Sequence, residues 1–241
     1  MTLDLPVIVL CGGLGTRLRA AVSDRPKALA PVGNTTFLAM QLELLRRRGA
    51  RHFVLCVGHM ADQIEAAFGD GTALGVRIDY SRDGDTLLGT AGALKRAERF
   101  FAPAAVVVNG DTHIDLDLRQ LVRAHAAARA RGAVATLTLA EMLHADRFGT
   151  VELDTNGGVC GFREKEPGAA GWVNAGVYVI ERDLLAGVPG DTAVSLERDV
   201  FPAALADGLP LAAFTHAEPF HDIGTPEDFR AFALREPAHA A

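Results

Sequence analysis

Lysine is nearly absent from this chain. Its 241 residues carry 24 fixed cations, and only three of these, Lys27, Lys95 and Lys165, are lysines. Generic surface cations are therefore arginines, so a remaining lysine is a candidate for a place needing a compact, rotatable ammonium rather than a planar fork. Cysteine is scarce too: Cys11, Cys56 and Cys160 stand far apart, with no CxxC pair. That excludes a disulfide framework and a zinc ribbon, and the three thiols are expected to be reduced and mostly buried. No apolar run approaches the length of a membrane span. The opening "MTLDLPVIVL" lacks the basic region and cleavage site of a secretory signal, so a cytoplasmic protein is expected. Positive charge is in deficit, with a formal charge of −6 and a pI near 5.7. This argues against a dominant nucleic-acid or anionic-membrane surface. Repeats, low-complexity blocks and linkers are missing as well, which leaves one domain with a substantial core.

What is present is an alternation of apolar runs and helical patterns. "LPVIVLC", "HFVLCVG", "GVRIDYS" and "AAVVVNGD" read as strands. "TTFLAMQLELLRRRG", "ADQIEAAFGDG", "TAGALKRAERFF" and "DLRQLVRAHAAARARG" read as helices between and after them. This rhythm predicts an α/β fold: a three-layer, Rossmann-like, mostly parallel sheet with helices on both faces. The later segments "AVATLTLAE", "FGTVELDTNGGVCGFRE", "GWVNAGVYVIE" and "PLAAFTHAEPFHDIG" are β-rich and broken by turn signals such as "TNGG". They predict an antiparallel extension closing over the crevice. "TPEDFRAFALRE" follows as a helix capped by Thr225. The parts are about residues 1–132, about 133–235 and a frayed tail at 236–241.

In such sheets ligands sit outside the carboxyl ends of the strands, which is where "VIVLCGGLGTRL" ends in its glycine turn. The turn is not a Walker loop, because no GK[ST] follows. It is also a poor dinucleotide fingerprint: the third glycine would fall at Leu18, and the strand ending Val57-Gly58 lacks the acid that would grip a ribose diol. Thr16 and Arg17 add a hydroxyl and a fixed cation. Lys27, in the proline-bracketed, extended "DRPKALAPVG", reads as a phosphate contact. Lys165, in "FREKEP", reads likewise, with pairing to Glu164 or Glu166 as the plainer alternative. Lys95 reads as a solvated helix position.

Two acids complete the pattern. "VVVNGD" points Asp111 out of a buried strand, and "FHDIGTPED" isolates Asp222 among apolar and glycine neighbours. A buried carboxylate needs a cation or donors to meet it. Two of them beside a triphosphate suit Mg²⁺, which takes a few carboxylates plus phosphate oxygens. The alternatives are an Asx-turn at Asp111 and a helix cap at Asp222. His59, His113 and His221 read as packing or hydrogen-bonding residues.

"LCGGLGTRLR…RPKALAPVGN" resembles the signature of the sugar-1-phosphate nucleotidyltransferases. The likeness continues in order through "LLGTAGAL", "VVVNGD", "FREKEP", "NAGVYVI" and "DIGTPEDF", nearly the whole chain. Within that family, "LCGGLGTRLR", "DRFGTVELD" and "DIGTPEDF" are most similar to the branch that guanylylates D-glycero-D-manno-heptose 1-phosphate. The resemblance implies a single catalytic domain of the GT-A-like nucleotidyltransferase fold, with 1–132 binding nucleotide and 133–235 binding sugar phosphate. It implies that Leu10, Gly12, Gly13, Gly15, Thr16, Gly58, Gly89 and Thr90 contact the nucleotide. Arg17, Lys27, Asp111 and Asp222 would carry catalysis, with Mg²⁺ held by the two aspartates. Glu164, Lys165 and Asn174 would bind the sugar phosphate. The substrates would be a nucleoside triphosphate, GTP by resemblance, and a sugar 1-phosphate, with no nucleic-acid or membrane partner; a homo-oligomer stays open. Alternatives are a hexose- or N-acetylmuramate-1-phosphate enzyme using UTP or dTTP, and a non-catalytic nucleotide-sugar sensor.

Overall fold

The computed structural model describes residues 2–13, 15, 24–84, 86–143, 145–217 and 220–235. The apolar run after Pro6 forms β1 (Val7–Leu10). A short hairpin of β2 (Pro31–Val32) and β3 (Thr35–Thr36) then leads into α1 (Phe37–Arg47). Thr36 caps that helix, its hydroxyl accepting from the Ala39 amide at 3.3 Å, as its place before an amphipathic stripe predicts. There follow β4 (His52–Val57), α2 (Ala61–Phe68), β5 (Arg77–Arg82), α3 (Gly89–Arg96), β6 (Ala104–Asn109), β7 (Thr112–His113) and α4 (Leu118–Arg129). The later half contributes β8 (Ala135–Met142), β9 (Thr150–Leu153), β10 (Gly158–Arg163), β11 (Gly171–Glu181), α5 (Phe201–Ala206), β12 (Leu211–His216), β13 (His221–Asp222) and α6 (Pro226–Arg235). The "TNGG" signal is the turn of the β9–β10 hairpin, where the Asp154 carboxylate accepts from the Asn156 and Gly158 amides. The Thr225 hydroxyl accepts from the Asp228 amide and caps α6.

Nine strands form one sheet in the order β5-β4-β1-β6-β11-β8-β12-β10-β9, and β9 also pairs with β11. The four strands of the first half are parallel. The extension is mixed: β11 runs antiparallel to β6 and β8, whereas β12 runs parallel to β8. Strand residues alternate between two cores, as the pleat requires. Val7, Val9, Val106, Val108, Val177 and Val179 face α1, α2 and α4, with Leu38, Leu42, Ile64 and Leu121. Ile8, Ala105, Val107, Tyr178 and Ile180 face α3 and α5, with Leu94, Phe201 and Ala204. A smaller cluster of Val32, Phe37, Ile223, Phe229 and Phe232 ties α6 to the β2–β3 hairpin.

One feature of this order positions the site. From β1 the chain proceeds to β4 and β5 on one side, then returns to place β6 on the other. The carboxyl ends of β1 and β6 therefore flank a topological switch point, the place where open α/β sheets bind ligands. In register, Leu10 is paired with Asn109, so the turn beginning Cys11-Gly12 and the turn Gly110-Asp111 open into the same crevice.

Candidate active site

The crevice is a cleft of about 360 Å³ whose lining includes Leu10, Gly12, Gly13 and Gly15 from the β1 turn, Lys27, Gly89 and Thr90 from α3, and Asp111. Gly58 lies beneath it: a Cβ there would come 2.7 Å from the Gly12 carbonyl. Thr16 and Arg17 fall outside the described residues.

Lys27 is not in a fully extended stretch. Pro26 is extended, but residues Lys27–Leu29 make one 3₁₀ turn, closed by the Ala30 amide donating to the Lys27 carbonyl at 3.0 Å. That turn aims the ammonium at Asp111, with Nζ donating to Oδ2 at 2.8 Å. The lysine side chain is 14% exposed and the aspartate 39%. Asp222 arrives from the far end of the chain because β13 pairs with β7, setting Asp222 opposite Thr112, and the Ile223 amide donates to the Asp111 carbonyl at 3.0 Å. Burial raises the Asp222 pKa, the neighbouring Asp111 charge raises it further, and Lys27 opposes both. A carboxylate pair crowded in this way, with one ammonium between them, is short of positive charge. Among the described residues no cluster of three or more His, Cys, Asp or Glu side chains forms. The two acids can thus supply only part of a cation's shell, which fits an ion completing it with phosphate oxygens and water.

The other expected residues are placed differently. Glu164 and Lys165 follow β10, are exposed, and are not among the residues lining the cleft. Asn174 is half-buried on β11, its Nδ2 donating to the Tyr178 hydroxyl at 2.8 Å. Thr90 lines the cleft, but its hydroxyl is engaged inside the protein by Glu197 and the Leu196 amide. His113 and His221 pack against Phe232, as packing residues would. Cys11 and Cys56 are buried, whereas Cys160 is exposed. Burial, helped by Asp83, pushes the Cys11 thiol up to about 12, so it is a packing group and no nucleophile.

Three residues escaped the sequence reading. Gln41 sits in the apolar stripe of α1, and its Nε2 donates to the Asn109 and Thr112 carbonyls at 3.0 and 2.7 Å, strapping the turn that carries Asp111. Glu197 gathers hydroxyls behind the cleft. Asp83 follows β5, lines the cleft and is only 5% exposed. A side chain at Gly12 would meet its Oδ2 at 2.8 Å, so the first glycine of the turn makes room for this acid. Its Oδ1 has no hydrogen-bond partner among the described residues. Burial pushes the Asp83 carboxyl up to about 6, with Arg96 partly opposing. The available signal was position: an acid directly after a parallel strand ending at the same crevice as Gly12 and Asp111.

Residues 6–237 match the family described as nucleotidyl transferase. The chain belongs to that nucleotidyl transferase family. It is 34% identical to a D-glycero-alpha-D-manno-heptose 1-phosphate guanylyltransferase of Campylobacter jejuni, over 95% of this chain and 99% of that protein. It is 38% identical to a mannose-1-phosphate guanylyltransferase of Mycobacterium tuberculosis over 95% of this chain, but spans only 63% of that protein. The crystal structure of HddC from Yersinia pseudotuberculosis is similar, with a TM-score of 0.83 and 27% identity over 96% of this chain and 99% of that one. The same protein complexed with GMP-PN gives a TM-score of 0.82. No helix among the described residues is long and apolar enough to cross a membrane.

Proposed function

We propose that the protein joins GTP and D-glycero-D-manno-heptose 1-phosphate, giving GDP-heptose and pyrophosphate, in the cytoplasm. The observation that carries the reaction class is the meeting of Lys27, Asp111 and Asp222 at the β1/β6 switch point, where Lys27 and Asp111 line a cleft floored by glycine backbone and Asp222 stands beside Asp111 at its edge. An oxygen of the sugar phosphate attacks the α-phosphorus, the bond to the β-phosphate oxygen breaks, and pyrophosphate departs. No protein nucleophile is needed, and the chain's work is to hold two mutually repelling anions in line and offset their charge. Gly12, Gly13 and Gly15 let backbone approach the triphosphate, together with Thr16 and Arg17. Lys27 stabilises charge on the α-phosphoryl oxygens and the leaving group. Asp111 and Asp222 would hold Mg²⁺, which supplies neutralisation of phosphate charge when bound. Gly89 and Thr90 form the wall beside the base and ribose, with Thr90 acting through its backbone because its hydroxyl is occupied. Glu164, Lys165 and Asn174 serve the sugar phosphate, Lys165 from an exposed strand end.

Guanine is favoured by Asp83. A carboxylate on the cleft lining offers an acceptor for the N1–H and 2-amino donors of guanine, although its Oδ1 is closed off from solvent in the unliganded protein. Uracil and thymine offer one N–H between two carbonyls, which a carboxylate repels. Heptose is favoured by the branch-like motifs and the Campylobacter relative, while mannose 1-phosphate is the second reading, favoured by the 38% identity to the mycobacterial enzyme. The test is pyrophosphate release from each nucleoside triphosphate with heptose, mannose and glucose 1-phosphates in Mg²⁺. GTP with heptose 1-phosphate should give the highest kcat/KM. Release with no combination would overturn the catalytic reading.

The cation reading has its own test. Asp222→Asn should raise the half-saturating Mg²⁺ concentration at least about tenfold, as loss of a charged ligand does, and chelator should abolish turnover. An unchanged Mg²⁺ dependence would remove Asp222 from the ligand set.

A further inference from the structure

Behind the cleft wall lies a carboxylate that, among the described residues, forms no ion pair. Glu197 stands on the irregular, π-helical turn Leu196–Val200, a geometry that recurs at functional sites. Its Oε2 accepts from the hydroxyls of Thr90 at 3.0 Å and Ser195 at 2.9 Å. Its Oε1 accepts from the Tyr178 hydroxyl at 3.0 Å. Tyr178 is fully buried. Its hydroxyl in turn accepts from Asn174 Nδ2 at 2.8 Å, while Asn174 Oδ1 accepts from the Gly176 amide at 3.0 Å. The surroundings are held firmly: the Val194 carbonyl accepts from the Ala91 amide at 2.9 Å, and a Cβ on Gly89 (φ 69°) would come within 2.5 Å of that carbonyl.

An ionised carboxylate can only accept. Each of the three hydroxyls must therefore donate toward Glu197 and turn its lone pairs away. Thr90 then accepts from the Leu196 amide at 2.7 Å. Tyr178 then accepts from its other neighbours, the side chains of Asn174 and Asn109, and the Asn174 amide presents its nitrogen to the tyrosine. The Gly176 amide enforces the same orientation from the other side, since it requires the Asn174 oxygen. With one N–H committed to Tyr178, the second N–H of Asn174 remains as a donor.

We propose that Glu197 is a positioning residue that sets the direction of hydrogen bonding through Tyr178, and so holds Asn174 as a donor to a sugar 1-phosphate hydroxyl. This rests on the sugar-1-phosphate reading of the site. The carboxylate never touches substrate; its role is to reinforce, from the Tyr178 side, the amide orientation that Gly176 also requires of a residue that does.

Glu197→Gln separates this role from scaffolding. Its Oε1 can still accept from Thr90 and Ser195, so the nucleotide wall is kept. With Oε1 held by those two hydroxyls, Nε2 faces Tyr178 and donates, which turns the tyrosine proton away from position 197 toward Asn174 and Asn109 and removes the preference for an Asn174 donor. The expected result is a rise of about tenfold in KM for the sugar 1-phosphate, the scale of one hydrogen bond, with KM for GTP within about twofold. Tyr178→Phe should give a similar rise, and the double variant E197Q/Y178F should be no worse than the larger single effect, because both act through one path. A structural role alone would lower the melting temperature and raise both KM values together, with effects that multiply. If E197Q does not fold, Y178F read against wild type for the same KM split decides the matter. An unchanged sugar-phosphate KM in E197Q or Y178F, or multiplying effects, would overturn the proposal. Wild-type turnover is the control that separates the two levels: if wild type releases no pyrophosphate the functional reading fails, and if wild type is active and the variants keep its KM values this inference alone fails.

Discussion

Lys27→Ala should lower kcat/KM about 10²–10³-fold, the scale of losing one preorganised charge contact. The ammonium is largely buried and fixed by Asp111 at 2.8 Å, so it is in place before substrate arrives and needs no reorganisation during the reaction. Its removal also takes away the ammonium that opposes the repulsion between Asp111 and Asp222. The second consequence predicts a signature beyond lost rate: the Asp222 pKa, already raised by burial and by Asp111, should rise further once Lys27 no longer opposes them. Activity in the variant should therefore fall away at a higher pH on the acid side than in wild type. Lys27→Arg should recover little of the rate, because a planar fork cannot occupy the space of an ammonium on a single 3₁₀ turn. Pyrophosphate release across pH 5.5–9, with melting temperature as the folding control, reads all three outcomes. Near-normal turnover of Lys27→Ala would take this residue out of the reaction and leave the scarcity of lysine without a mechanistic meaning.

The sheet was legible because β1, β4 and β6 are apolar runs that end in glycine turns, while the more polar β5 showed itself by alternation. Val7–Leu10 and Ala104–Asn109 announced both their burial and the crevice at their ends. An acid at the end of a buried strand needs a cation or donors, and in the fold Lys27, read from the sequence as a phosphate contact, is the cation that meets Asp111. The pairing of β13 with β7 that brings Asp222 in has no local signal: two residues are too few to show a period. Asp83 and Glu197 were hidden for a different reason. "SRDGD" reads as an exposed turn and "SLERDV" as the charged face of a helix. The burial of Asp83 comes from Gly12 and Gly58, whose missing side chains admit it from two other strands. The role of Glu197 comes from hydroxyls on α3 and β11, remote in sequence. Lys165 marks the opposite case, singled out by composition, yet exposed after β10 and away from the cleft lining.

Asp83→Asn should change stability and nucleotide choice in opposite directions. Burial holds the wild-type carboxyl at about 6 in the folded protein, against 3.8 as a free side chain. A raised carboxyl pKa stabilises the folded state in full below pH 3.8, and that contribution is lost as pH rises through about 6. At pH 7.5 the ionised group thus destabilises the unliganded protein by up to about 3 kcal/mol, at 1.36 kcal/mol per pH unit. Asparagine has no charge to bury, so the variant should melt higher than wild type at pH 7.5, with the advantage vanishing near pH 4. The groups facing Asp83 leave this window clear: burial pushes the Cys11 thiol, just after β1, up to about 12 and the Cys56 thiol of β4 well above its ordinary value, and the Arg96 guanidinium of α3 is a fixed cation. For the nucleotide the effect reverses. Two charge-assisted hydrogen bonds to guanine are replaced by an amide that accepts one and opposes the other, which should weaken GTP use about 10²–10³-fold. UTP, poorly used to begin with, should change little. Wild type should also prefer GTP to inosine triphosphate, which lacks the 2-amino group, and this preference should disappear in the variant. Wild-type KM for GTP should climb as pH falls below about 6, because only the ionised carboxyl accepts both donors, whereas the variant should be flat there. A buried charge that destabilises the resting protein and selects its ligand is the trade expected at a functional site. Retention of GTP preference by Asp83→Asn would show that guanine is read elsewhere in the cleft, whatever happens to the melting temperature.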